Sequence, residues 1–117
     1  MYGLRRNTDL SFFSGRTLVQ MCFGMHDLVL NFDGSVSVTV TSRVEIGAHD
    51  HSMQIEQFIQ SAPVLLALVN RVVVTAVATE AGTLELGFDN GEVLRFVDDS
   101  HQYESYVVRS GQEVIVV

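Results

Sequence analysis

His49-Asp50-His51 sets two imidazoles at alternate positions, and on an extended segment alternate side chains project to one side, as a first-row metal ion would need. A structural site wants about four ligands and a catalytic one about three, yet Cys22, His26 and His101 are scattered along the chain. His49 and His51 are the candidate metal pair, set against a plainer reading as a solvated loop whose Asp50 favours the positive end of a following helix. No cofactor is expected. Cys22 could act as a nucleophile beside a histidine and an acid, but it sits within the apolar strand segment Thr17–Phe23, where burial makes cysteine a small hydrophobe. Asp98 and Asp99 are paired carboxylates, but neighbours on an extended chain point opposite ways. Neither a G-x-S-x-G element nor a glycine-rich phosphate loop is present. The chain reads as non-enzymatic.

What stands out is charge. Glu85, Asp89, Glu92, Asp98, Asp99 and Glu104 fall within one stretch opposed by Arg95 alone, and Tyr103 and Tyr106 lie beside it. Such a run is either the ordinary solvated surface of an acidic protein or a face that steers and complements a basic partner. Glu85, Asp89, Glu92, Asp98, Asp99, Tyr103 and Glu104 are the candidate partner-binding residues, tyrosine being a common interface anchor. Fourteen Asp and Glu against seven Arg, with no Lys, give a formal charge of -7. That balance disfavours nucleic acid and anionic membrane as partners, since neither releases counterions onto an acidic surface. One cysteine excludes an internal disulfide and suggests a reducing compartment. With no long apolar run and no apolar core near the N-terminus to mark a signal peptide, a cytoplasmic location is expected.

The elements that would hold these residues are strands. A 117-residue chain, 47% hydrophobic, fits one domain over 1–117. Residues 15–33 and 70–89 resemble one another: Arg16 and Val19 match Arg71 and Val74, and Leu28, Leu30, Phe32 and Asp33 match Leu84, Leu86, Phe88 and Asp89. The repeat, about 15–42 and 70–97, reads as two antiparallel three-strand meanders, because Leu28–Phe32 and Val36–Val40 alternate apolar with polar. A two-residue turn at Asn90–Gly91 would set Leu86 against Arg95; a three-residue loop, Asp89–Asn90–Gly91, sets Leu86 against Leu94 and Glu85 against Arg95. The second keeps one face apolar and is preferred. Asp33–Gly34–Ser35 is expected to match it, with Ser35 in a left-handed conformation that suits it less well than glycine. Ile55, Phe58, Ile59 and Ala62 share a helical face, predicting a helix over about 52–62, with Pro63 ending it or opening a second short turn through Val64–Val69. Tyr103–Arg109 and Gln112–Val117 close the chain as a hairpin. The expected fold is mainly β: two duplicated meanders, one short helix between them, a C-terminal hairpin, and about eight strands in all.

The phrases G-R-x-L-V and L-x-L-x-F-D in the first copy, T-L-E-L-G-F-D-N-G-E-V-L-R-F in the second, and the following D-D-x-x-x-Y-E-S-Y resemble a family of small, uncharacterised bacterial proteins that carry two such β units. The resemblance spans about 15–40 and 64–107, with Tyr106 standing where that family usually has tryptophan. It carries no catalytic residues across. Small acidic bacterial proteins of this look are often immunity proteins, which implies a cognate basic toxin, such as a nuclease, as partner. The competing class is a ligand- or metal-binding β protein or small enzyme with its site between the repeats, using His26, His49, His51 or His101. A third is a self-associating module, such as a homodimer that pairs sheet edges.

Overall fold

Alternation of apolar and polar residues places the strands, and the burial of every second side chain shows which face each one turns inward. The computed structural model describes residues 4–5, 7–47, 52–79, 82–98 and 105–117. Among them the strands are β1 (Leu18–Phe23), β2 (Leu28–Phe32), β3 (Val36–Val40), β4 (Val44–Gly47), β5 (Met53–Ile55), β6 (Val73–Ala78), β7 (Leu84–Phe88), β8 (Val93–Phe96), β9 (Tyr106–Ser110) and β10 (Glu113–Val116). A 3-10 turn, Ser11–Phe13, precedes β1, and one short helix, α1 (Ala62–Leu66), precedes β6.

Two five-stranded antiparallel sheets result, ordered β1-β2-β3-β9-β10 and β5-β4-β8-β7-β6. Leu28, Leu30, Val38 and Tyr106 from the first join Leu84, Leu86, Leu94 and Phe96 from the second in a single buried cluster. The Phe96 and Tyr106 rings, 5.9 Å apart, connect the two sheets through it. Each fully buried Leu or Phe contributes about 1.5–3 kcal/mol of transfer free energy. A cross-strand surface pair contributes about 0.2–1 kcal/mol, so the inner faces decide the pairing.

The meander registers follow the three-residue loops. Leu86 faces Leu94, Leu84 faces Phe96 and Glu85 faces Arg95; Phe32, Leu30 and Leu28 face Val36, Val38 and Val40. Gly91 and Ser35 are both left-handed, with φ of 86° and 63°.

Duplication extends further than the meanders. Both copies contain a bulge at the same place, between Leu18 and Gln20 in β1 and between Val73 and Thr75 in β6. Each three-strand meander is followed by a hairpin that crosses to the other sheet: β4–β5 pairs with β8, and β9–β10 pairs with β3. The second strand of the first-copy hairpin takes the start of the segment read as a helix over 52–62. Met53–Ile55 is a strand there, and the helix begins at Ala62 with Pro63 in its first turn. Ile55 and Phe58 are buried as the helical pattern required, but Ile59 is 58% exposed. Tertiary pairing overrides local periodicity: β8 presents an edge, and β4 and then β5 extend it.

Candidate functional site

Asp98 follows β8 and stands beside Ser105, the residue before β9. The Ser105 side chain is buried, and its hydroxyl donates to the Asp98 carboxylate at 3.0 Å. The Ser105 carbonyl accepts the Thr41 N–H at 3.0 Å, and the Ser42 hydroxyl donates to the Val97 carbonyl at 2.8 Å. The ends of β3 and β8 are thus tied to the start of β9, where both hairpins cross between sheets. Next to this corner, Tyr106 is 1% exposed and its hydroxyl donates to the Gly82 carbonyl at 2.9 Å. Burial, and secondarily the Asp98 charge, push its ionisation far above the usual tyrosine range.

Thr41 also lines an open cleft of about 530 Å³, together with Met25, His26, Glu56, Ile59 and the buried Phe58. The β1–β2 turn supplies Met25 and His26, and the chain between β5 and α1 supplies Glu56, Phe58 and Ile59. Met25 is 82% exposed, so two large apolar groups, Met25 and Ile59, flank a carboxylate and an imidazole. Among the described residues, no arginine lines the cleft. The chemistry on offer is binding to apolar and cationic groups. A smaller hollow of about 280 Å³ runs along β6 beside the 3-10 turn, between Leu10 and Val77.

The other acidic candidates lie elsewhere. Asp89 is exposed and Glu92 half-buried at the β7–β8 loop, where the Asn90 side chain accepts the Glu92 N–H at 3.1 Å. From Glu92 to Asp98 the chain runs along β8, about 20 Å of extended backbone. The acidic stretch is therefore divided between opposite ends of one sheet. Glu85 lies between them on the outer face and is spoken for: its Oε1 is 3.3 Å from Arg95 Nε. In register, Arg95 also stands opposite Glu45 of β4, and Arg43 is 3.9 Å from Glu45. Among the described residues neither Asp89 nor Glu92 is ion-paired.

Asp99, Tyr103, Glu104, His49, His51 and His101 lie outside the described residues. Within the described residues, no group of three or more His, Cys, Asp and Glu is placed to hold a metal ion, and no helix is long and apolar enough to cross a membrane. Cys22 is exposed, not buried as its apolar strand suggested. The bulge after Leu18 shifts the alternation by one, turning Met21 and Phe23 toward the core and Cys22 outward. Met25, Glu56 and Ile59 were not legible as site residues, because Ile59 counted toward a helical core face and nothing local marks Met25.

No curated protein and no solved structure matches the chain. Residues 10–117 match a family of unknown function, DUF6188. The match starts at Leu10, the buried residue that opens the 3-10 turn ahead of the first copy, and takes in both copies to the last residue. By that match over both copies of its repeat, this chain belongs to the DUF6188 family.

Proposed function

We propose that this protein is a non-catalytic inhibitor of immunity-protein type, which binds and blocks a basic protein toxin. The observation that carries the reading is the cleft lined by Thr41, where exposed Met25 and Ile59 accompany Glu56 and, among the described residues, no arginine lines the walls. Apolar anchors ringed by polar groups are the usual core of a protein interface. A carboxylate among them selects partners that place Lys or Arg at the rim. Asp89 and Glu92, unpaired among the described residues at the far end of the sheet, and the overall charge of -7 add a field that speeds encounter with such a partner. Inhibition then requires only occlusion, with no turnover.

The test starts from the gene beside this one. Its product is purified, and binding to this protein is measured together with its toxicity to cells with and without this protein. The expected outcome is a basic toxin bound in a salt-sensitive complex and neutralised in cells, with Glu56→Lys weakening both. A neighbour that is not toxic, or a toxin that this protein neither binds nor neutralises, would reject the reading.

A further inference from the structure

The duplication allows each outward position of one sheet to be compared with its twin on the other. On the second sheet the row across β4, β8 and β7 is Glu45, Arg95 and Glu85, a ladder of alternating charge. The matching row on the first sheet, across β9, β3 and β2, is Val107, Thr39 and Val29, of which Val107 is already buried and the other two are half-buried. At the ends of that sheet Val19, Val114 and Val116 are 52%, 53% and 40% exposed. Arg109, opposite Ser37 and Val114, is the one charged residue on this outer face among the described residues, in a chain of net charge -7.

We propose that the outer face of the β1-β2-β3-β9-β10 sheet is a self-association surface, and that its occupant is the same face of a second copy of this chain. Two molecules of charge -7 repel. They approach at least cost through a face that, among the described residues, carries no carboxylate. Five strands about 4.8 Å apart and about five residues long make a face of about 24 by 17 Å. Two such faces total only about 800 Å², below the roughly 1,200–2,000 Å² buried in stable specific complexes, so the dimer is weak and reversible. Sheets stack face to face about 10 Å apart, and β-branched side chains such as these valines suit that packing. The partner-binding cleft is formed by the β1–β2 turn and the segment after β5, so this inference does not depend on the inhibitor reading.

Sedimentation equilibrium of the purified full chain tests it, across a range of protein concentrations and at low and high salt. The expected result is a monomer–dimer equilibrium that tightens as salt rises, because salt screens the repulsion between like-charged copies. Val114→Lys and Val19→Lys should each weaken dimerisation by roughly tenfold or more, as loss of an interface contact does. Val74→Lys, the twin of Val19 on the other sheet and 55% exposed, serves as the control and should leave it unchanged. All three sites are solvent-exposed, and circular dichroism checks that each variant folds. A wild-type chain that stays monomeric overturns the proposal and leaves the face to a different protein. So does a dimer weakened equally by Val74→Lys, or one that loosens with salt.

Discussion

Gly15 and Asn70 occupy equivalent positions in the two copies. Both are left-handed, with φ of 79° and 74°. The Gly15 N–H donates to the Val73 carbonyl at 2.9 Å, and the Asn70 N–H to the Leu18 carbonyl at 2.7 Å. Leu18 N–H to Arg71 carbonyl (2.9 Å) and Val73 N–H to Arg16 carbonyl (2.8 Å) complete the set, around the Thr17–Val72 bridge. Each copy thus anchors the first strand of the other through the same backbone bonds, a local two-fold relation within one chain. The turns that lead in also match: Phe13 N–H to Leu10 carbonyl at 3.1 Å, and Leu68 N–H to Leu65 carbonyl at 3.0 Å, with all four side chains buried.

Backbone strain at these two positions can be measured separately from packing. A Cβ added at Gly15 meets nothing within 4 Å, so Gly15→Ala reports the cost of a left-handed alanine, about 1–2 kcal/mol. Asn70→Val should cost about 1–3 kcal/mol, because a β-branched residue tolerates that conformation poorly. Asn70→Gly should change stability little. Urea denaturation midpoints at constant slope check all three.

Asp98 and the hairpin-loop carboxylates should separate cleanly. Asp98→Ala leaves the buried Ser105 hydroxyl without its acceptor and should cost about 1–3 kcal/mol in thermal or urea unfolding. Asp89→Lys should alter stability by no more than about 0.5 kcal/mol. It should, however, slow association with a basic partner and flatten the salt dependence of the on-rate in stopped-flow mixing.

Tyr106 gives the pH dependence a definite sign. Its ionisation in the folded chain lies above the unfolded value of about 10, so above that pH the folded state holds a proton that the unfolded state releases. Its contribution is therefore fully present below the unfolded value and is lost as pH climbs beyond it. Unfolding titrations in alkali should show wild-type stability falling more steeply than that of Tyr106→Phe. At neutral pH the variant should be less stable by about 1 kcal/mol, from the lost bond to Gly82.

Cys22 tests the bulge. An exposed thiol on an edge strand reacts with a thiol reagent in the native state at nearly the rate of a free cysteine, one equivalent per chain. Protection until unfolding would place Cys22 on the inner face and remove the shift after Leu18.

Sequence alone determined the features that depend on neighbours along the chain. The alternation in Leu28–Phe32 and Val36–Val40 settles which side chains are inward. The pairing of Glu85 with Arg95 settles the loop length, since a slip of one residue would put charge into the core. Pro63 marks where a helix can start. Tertiary structure decided what depends on distant partners. Met53–Ile55 is a strand only because β4 and β8 offer it an edge, which no local pattern announces. The bulges that turn Cys22 outward, the exchange of hairpins between sheets, and the meeting of Met25 with Glu56 and Ile59 are likewise contacts between segments far apart in the chain. A run of acids reads as one patch because charge is counted along the chain, whereas an extended strand carries its two ends about 20 Å apart.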